Sequence, residues 1–107
     1  MPGKRFLNTR LMVLISEATV DAFSDVEQRM GFYTMIEEHL GMPFEATILG
    51  MSVVVERVDL ADDDQIVAIC RRGRSRQAVS ILELPLPTPW PAGAEWIDAY
   101  RLWSKSR

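Results

Sequence analysis

The sequence predicts an α+β fold: a small antiparallel, SH3-like β-barrel of four to five strands, with N-terminal helices and a C-terminal helix. Three observations carry that expectation. The apolar period changes from 3.6 to 2 at Pro43, four short stretches rich in β-branched residues follow, and aromatic residues recur at helical spacing near the C-terminus. A chain of 107 residues is read as a single domain, with a helical lead-in over 9–41, the barrel over 44–86 and the closing helix over 94–104.

Residues 1–8 are expected to fray. From Asn8 or Thr9 onward, Leu11, Leu14, Ile15 and Ala18 share one helical face, although Val13, Ile15, Thr19 and Val20 also suit a strand. Asp21 to Ser24 connects this segment to the main helix, expected over 25–40. Ser24 followed by Glu27 is a capping box: the hydroxyl accepts from the amide of residue 27, and the carboxylate reaches back to the amide of Ser24. Val26, Met30, Tyr33, Ile36 or Glu37, and Leu40 form the apolar stripe expected to face the core. Gly31 weakens the helix middle and so marks a place where another element can pack closely. His39 suits the negative end of the helix dipole, and Gly41 is expected at C′.

Beyond Pro43, Phe44, Ala46 and Ile48 alternate with polar residues in a first strand ending at Gly50. SVVVERV (52–58) is the second strand, 59–64 a polar connection, and 65–71 the third. Arg72 to Ser75, with Gly73, reads as a tight hairpin turn into a fourth strand, QAVSIL. Prolines at 85, 87, 89 and 91 forbid regular structure and favour an extended crossing. In AEWIDAYRLWS, Trp96, Ala99, Tyr100 and Trp103 recur at helical spacing, whereas Trp90 suits either the core or an exposed docking position.

The net charge of −3, from 15 acidic and 12 basic residues, argues against a dedicated nucleic-acid binder. The single cysteine, Cys70, excludes an intrachain disulfide and a thiolate zinc cluster, and its apolar setting marks it as a small buried hydrophobe. The apolar run Leu11–Ile15 is too short for a signal-peptide core or a membrane span, so a cytoplasmic location is expected. No catalytic motif accompanies the lone His39, and there is no Gly-rich phosphate loop; the chain is read as a non-enzyme.

Two acidic groups and one basic group remain. Asp59, Asp62, Asp63 and Asp64 lie between two strands, where crowded carboxylates repel unless they are solvated, paired or neutralised by a cation. Hard oxygen donors on a loop suit Ca²⁺, but the spacing is not that of an EF-hand: the central glycine is missing and the twelfth position is Cys70. Spacing alone leaves a solvated loop and a metal site both open. Asp21, Asp25 and Glu27 form the second group, which serves either as helix-capping acids or as a cation site; Glu37 and Glu38 read as a solvated face. Arg71, Arg72, Arg74 and Arg76 surround the hairpin at Gly73, where they either grip a polyanion or protect a sheet edge.

The segments VDAFSDVEQRMGFYTMIEEHLGMPFEATILG, VVVERVDLADDDQIVAICRRGRSRQAVSILELPLP and AEWIDAYRLW, in that order, resemble the small CcbP-like calcium-binding proteins of bacteria over about residues 17–103. The resemblance implies a cytoplasmic bacterial protein that binds Ca²⁺ without catalysis, through carboxylates outside any EF-hand, as a buffer or sensor. Asp21 and Glu27, with Asp25 inside the same motif, are the positions that carry over. The chain departs from that pattern in its modest net charge and its arginine-rich hairpin. The alternative function is an interaction module, docking an unidentified protein or a polyanion through the barrel face or that hairpin.

Overall fold

Pro2 is pre-organised for the first turn of a helix, because its ring fixes φ and its missing amide hydrogen is not needed there. In the computed structural model, which describes residues 2–107 with side chains from Asn8 onward, helix α1 accordingly runs Pro2–Ala18. The expected frayed segment is therefore largely helical, while Met1 lies outside the described residues. Leu11, Leu14 and Ala18 are buried along one face of α1, as their spacing requires. The helix ends where the Thr19 hydroxyl and amide both donate to the Ile15 carbonyl, before a tight turn in which Asp21 takes φ 59°.

Helix α2 (Asp25–His39) starts on the expected capping box: the Glu27 amide donates to Ser24 Oγ at 3.1 Å, and the Ser24 amide to Glu27 Oε1 at 3.2 Å. Its buried face matches the expected stripe in part: Ile36 and Leu40 are buried as expected and Tyr33 is partly buried, but Phe32 takes the place of Val26 and Met30. Phe32, Ile36 and Leu40 point inward, whereas Val26 and Met30 are 49% and 37% exposed. Helical periodicity offers both faces, and the partners decide between them: Phe32 sits among Tyr100 and Trp103, at 5.4 Å from each ring centroid. Gly31 lies where α1 crosses, against the Ala18 carbonyl. The C-terminus also differs from expectation. Leu40 ends α2 in an extended conformation, and Gly41, rather than adopting a left-handed C′ conformation, donates its amide to the Ala92 carbonyl at 2.8 Å.

Four strands follow: β1 (Phe44–Ile48), β2 (Met51–Leu60), β3 (Ile66–Arg72) and β4 (Ser75–Ser80), paired antiparallel in chain order. Strict alternation along β2 would place Val55 and Arg57 on one face. A bulge between Val55 and Arg57 inserts Glu56, so that Val55 and Val58 both point inward and Arg57 points out. On the same inner face, Ala46, Ile66, Ala68 and Cys70 complete the buried floor.

The expected closure into an SH3-like barrel is not observed: β1 and β4 are both edges of an open four-stranded sheet. The reason is chemical. The chain after β4 is Ile81-Leu82-Glu83-Leu84-Pro85-Leu86-Pro87, and prolines cannot donate to a ladder on β1. Pro85, Leu86 and Pro87 instead line a shallow cleft with Glu45, Thr47 and Ser52.

Helix α3 (Ala94–Lys105) closes the molecule, burying Trp96, Ile97, Ala99, Tyr100 and Trp103. It packs against α1 and α2, and α2 in turn rests on β2, so the helices cover one face of the sheet. Trp90, by contrast, is half exposed. Among the described residues no helix is long and apolar enough to cross a membrane.

Arg101 ties this layer to the post-β4 turn. Its Nε and Nη2 donate to the Ile81 carbonyl at 3.2 and 3.0 Å, and Nη2 also donates to the Leu84 carbonyl. Burial pushes the guanidinium pKa down, with Asp98 opposing. Arg101→Met keeps the apolar stem and removes the donors, leaving two part-buried carbonyls short of partners. Urea denaturation should show a loss of about 1–3 kcal/mol.

Candidate functional site

A hairpin carries the first acidic group. The β2–β3 connection closes through the Ala61 amide donating to the Gln65 carbonyl and the Asp64 amide donating to the Ala61 carbonyl, each at 2.9 Å. Asp63 Oδ1 accepts from the Gln65 amide at 3.1 Å, and Asp64 takes φ 63°, a conformation that Asp tolerates better than most residues. Asp62, Asp63 and Asp64 are all exposed, and among the described residues none has a guanidinium or ammonium partner.

Asp59, expected on the same loop, is instead part of β2, paired with Val67. Its Oδ2 faces Arg57 Nη1 at 3.3 Å, and its Oδ1 accepts from the Leu60 amide at 2.8 Å. Extending β2 to Leu60 fixes Asp59 in the ladder, with Leu60 and Ala61 between it and the loop aspartates.

The second acidic group is largely occupied by helix capping. Glu27 Oε1 accepts from both the amide and the hydroxyl of Ser24, and Asp25 Oδ1 lies 3.7 Å from Arg107 Nε. Asp21 sits in the turn before α2 and is exposed. Among the described residues, no three His, Cys, Asp or Glu side chains form a group placed to hold a metal ion.

A junction that sequence reasoning passed over lies between α2 and β2. The Tyr33 hydroxyl donates to Glu37 Oε2 at 3.0 Å and lies 3.5 Å from the Val58 carbonyl. Burial raises the Tyr33 pKa, the Glu37 hydrogen bond and the charges of Glu37 and Asp59 add to it, and Arg57 opposes. Two carboxylates therefore act on one phenol. The i, i+4 spacing of Tyr33 and Glu37 was a readable signal; the approach of Asp59 was not, because it depends on how α2 lies on β2.

The arginine hairpin is divided. Arg71 and Arg76 are cross-strand partners, so two like charges stand directly opposite each other. The bulge residue Glu56 answers both, with Oε2 at 2.9 Å from Arg71 Nε and Oε1 at 2.8 Å from Arg76 Nε. Hydrogen bonds from Arg76 and then Arg71 hold the Glu56 carboxyl below the usual range. Arg72 donates instead to the Met51 sulfur, and neither Arg72 nor Arg74 has a carboxylate partner among the described residues.

The donors of both acidic groups are carboxylate oxygens, the type a hard divalent cation takes. Comparison with curated proteins and with solved structures gives no significant match. The model of a calcium-binding family, that of the CcbP proteins, matches residues 12–104. With that match extending from α1 through all four strands to the end of α3, the chain belongs to the CcbP family of calcium-binding proteins.

Proposed function

We propose that this protein binds Ca²⁺ without catalysis, as a buffer or sensor, and that the β2–β3 hairpin loop holds the ion through Asp62, Asp63 and Asp64. The observation that carries the choice of loop is that its three successive carboxylates are exposed and lack cationic partners, while Asp59, Asp25 and Glu27 are already engaged. Like charges on adjacent residues gain most from a cation that relieves their repulsion. Loop carbonyls and water complete the six to eight oxygens that Ca²⁺ takes. Because the aspartates must rotate to converge, part of the binding free energy goes into ordering them, and an affinity on the order of 10⁻⁴ M is expected. We assign the protein to the bacterial cytoplasm, the setting the family resemblance implies.

Calorimetric titration with Ca²⁺, beside Mg²⁺ as control, tests this. At a hundredfold excess over Kd, Ca²⁺ should add about 2.7 kcal/mol of stability, which raises Tm by roughly 10 °C or more. Asp62→Asn, Asp63→Asn and Asp64→Asn together should abolish both the heat and the shift while leaving the ion-free Tm within a few degrees. If calcium heat persists in that triple variant, the loop is not the site, and Asp21, Asp25 and Glu27 become the residues to replace.

A further inference from the structure

The other end of the sheet is built differently. β4 pairs only with β3, and Ser75, Arg76, Gln77 and Ala78 are exposed, so its outer backbone groups form an open edge. Beside that edge the helix-facing side of the sheet runs out from under the helices. The pairings Cys70↔Gln77 and Ala68↔Val79 place Gln77 and Val79 on this face, where a cleft of about 320 Å³ lies over Ile48, Val53, Cys70 and Val79. At its lip Leu49 is 94% exposed and Met51 half exposed.

Charge narrows the choice of occupant. Four guanidinium groups stand near this hairpin against one carboxylate, Glu56, which Arg71 and Arg76 share. Arg72 and Arg74 are left as local positive charge in a chain whose net charge is −3. Two copies of such an edge repel one another, which opposes self-pairing. A single-stranded nucleic acid would want aromatic rings to stack on, and the cleft is lined by none.

We propose that the β4 edge and this cleft dock an extended acidic peptide carrying apolar side chains at alternate positions. Its backbone pairs with the outer edge of β4. One row of side chains lies beside Gln77 and Val79 at the near end of the cleft, and the acidic residues meet the positive charge that Arg72, Arg74 and Arg76 supply at the hairpin. This surface is separate from the calcium loop, and the proposal does not rest on the calcium reading.

The test is fluorescence anisotropy of a short labelled peptide of alternating Glu and Val, titrated with the full chain in EDTA. Saturable binding is expected that weakens as salt rises. The exposed-site variants Arg72→Glu with Arg74→Glu, and separately Met51→Glu, should each weaken it roughly tenfold without lowering Tm. Amide shifts in the NMR spectrum of the unaltered chain should concentrate on residues 75–80. The proposal is overturned if the peptide fails to bind at millimolar concentration, or if the shifts fall elsewhere. Equal binding of a Lys–Val peptide, or tighter binding of a short poly-thymidine strand, overturns it as well.

Discussion

Replacing Phe32 by Ala is expected to remove about 3–5 kcal/mol of stability, the cost of emptying a fully enclosed aromatic site. Phe32 has no solvent exposure and stands between Tyr100 and Trp103, both buried, at tilted ring–ring angles of 55° and 46°. Such pairs add about 0.5–1.5 kcal/mol beyond the area they bury. Trp103, one of the two rings it touches, also donates its indole nitrogen to Gln28 Oε1 at 2.8 Å. Domains of this size hold about 5–15 kcal/mol in all, so the variant should melt on the order of 15 °C lower. Met30→Ala on the same helix is the control. Met30 is more than a third exposed, and its loss should shift Tm by only a few degrees. Similar losses for the two would mean that α2 does not present the Phe32–Ile36–Leu40 face to α3.

Gly31→Ala should destabilise the protein by about 1–3 kcal/mol, opposite in sign to the gain of about 1 kcal/mol that Ala normally brings to a helix interior. A methyl group built on Gly31 overlaps the Ala18 carbonyl oxygen and lies 3.1 Å from the carbonyl carbon. Both are backbone atoms, so no side chain can swing aside; α1 and α2 must separate. Thr34→Ala, at an exposed site three residues along, should be neutral or slightly stabilising, because its β-branched side chain is the poorer helix former. Urea denaturation of the pair therefore gives a difference in sign. Equal stabilisation by both substitutions would place α1 farther from α2 than it is here.

These two expectations mark how far the sequence could be read. The capping box was legible because Ser24 and Glu27 satisfy each other's amide neighbours within one turn, a chemistry that needs no partner from elsewhere. The four strands were legible because β-branched residues and short turns specify them locally, Gly73 with φ 59° among them. The inward face of α2 was legible from periodicity only in part: Ile36 and Leu40 were read as buried, but Val26 and Met30, as apolar as Phe32, were read in its place. The aromatic side of α3 chose between the two faces. Barrel closure failed for a reason written in the sequence, the prolines at 85 and 87, yet its consequence became visible only once β1 and β4 stood as separate edges.

The candidate site divides along the same line. The residue types left a solvated loop and a hard-cation site both open, since crowded carboxylates without cysteine or histidine neighbours offer only oxygen, and the family resemblance is what pointed to Ca²⁺. Which carboxylates remain free was a matter of tertiary structure. Arg107 reaches Asp25 from the far end of the chain, Arg57 meets Asp59 along β2, and among the described residues no cationic side chain reaches Asp62, Asp63 or Asp64. Local sequence thus determined the helices, the strands and the chemistry of the donors, because those follow from neighbours a few residues apart. Tertiary structure decided which faces are buried, whether the sheet closes and which charges are already answered, because each depends on groups that only folding brings together.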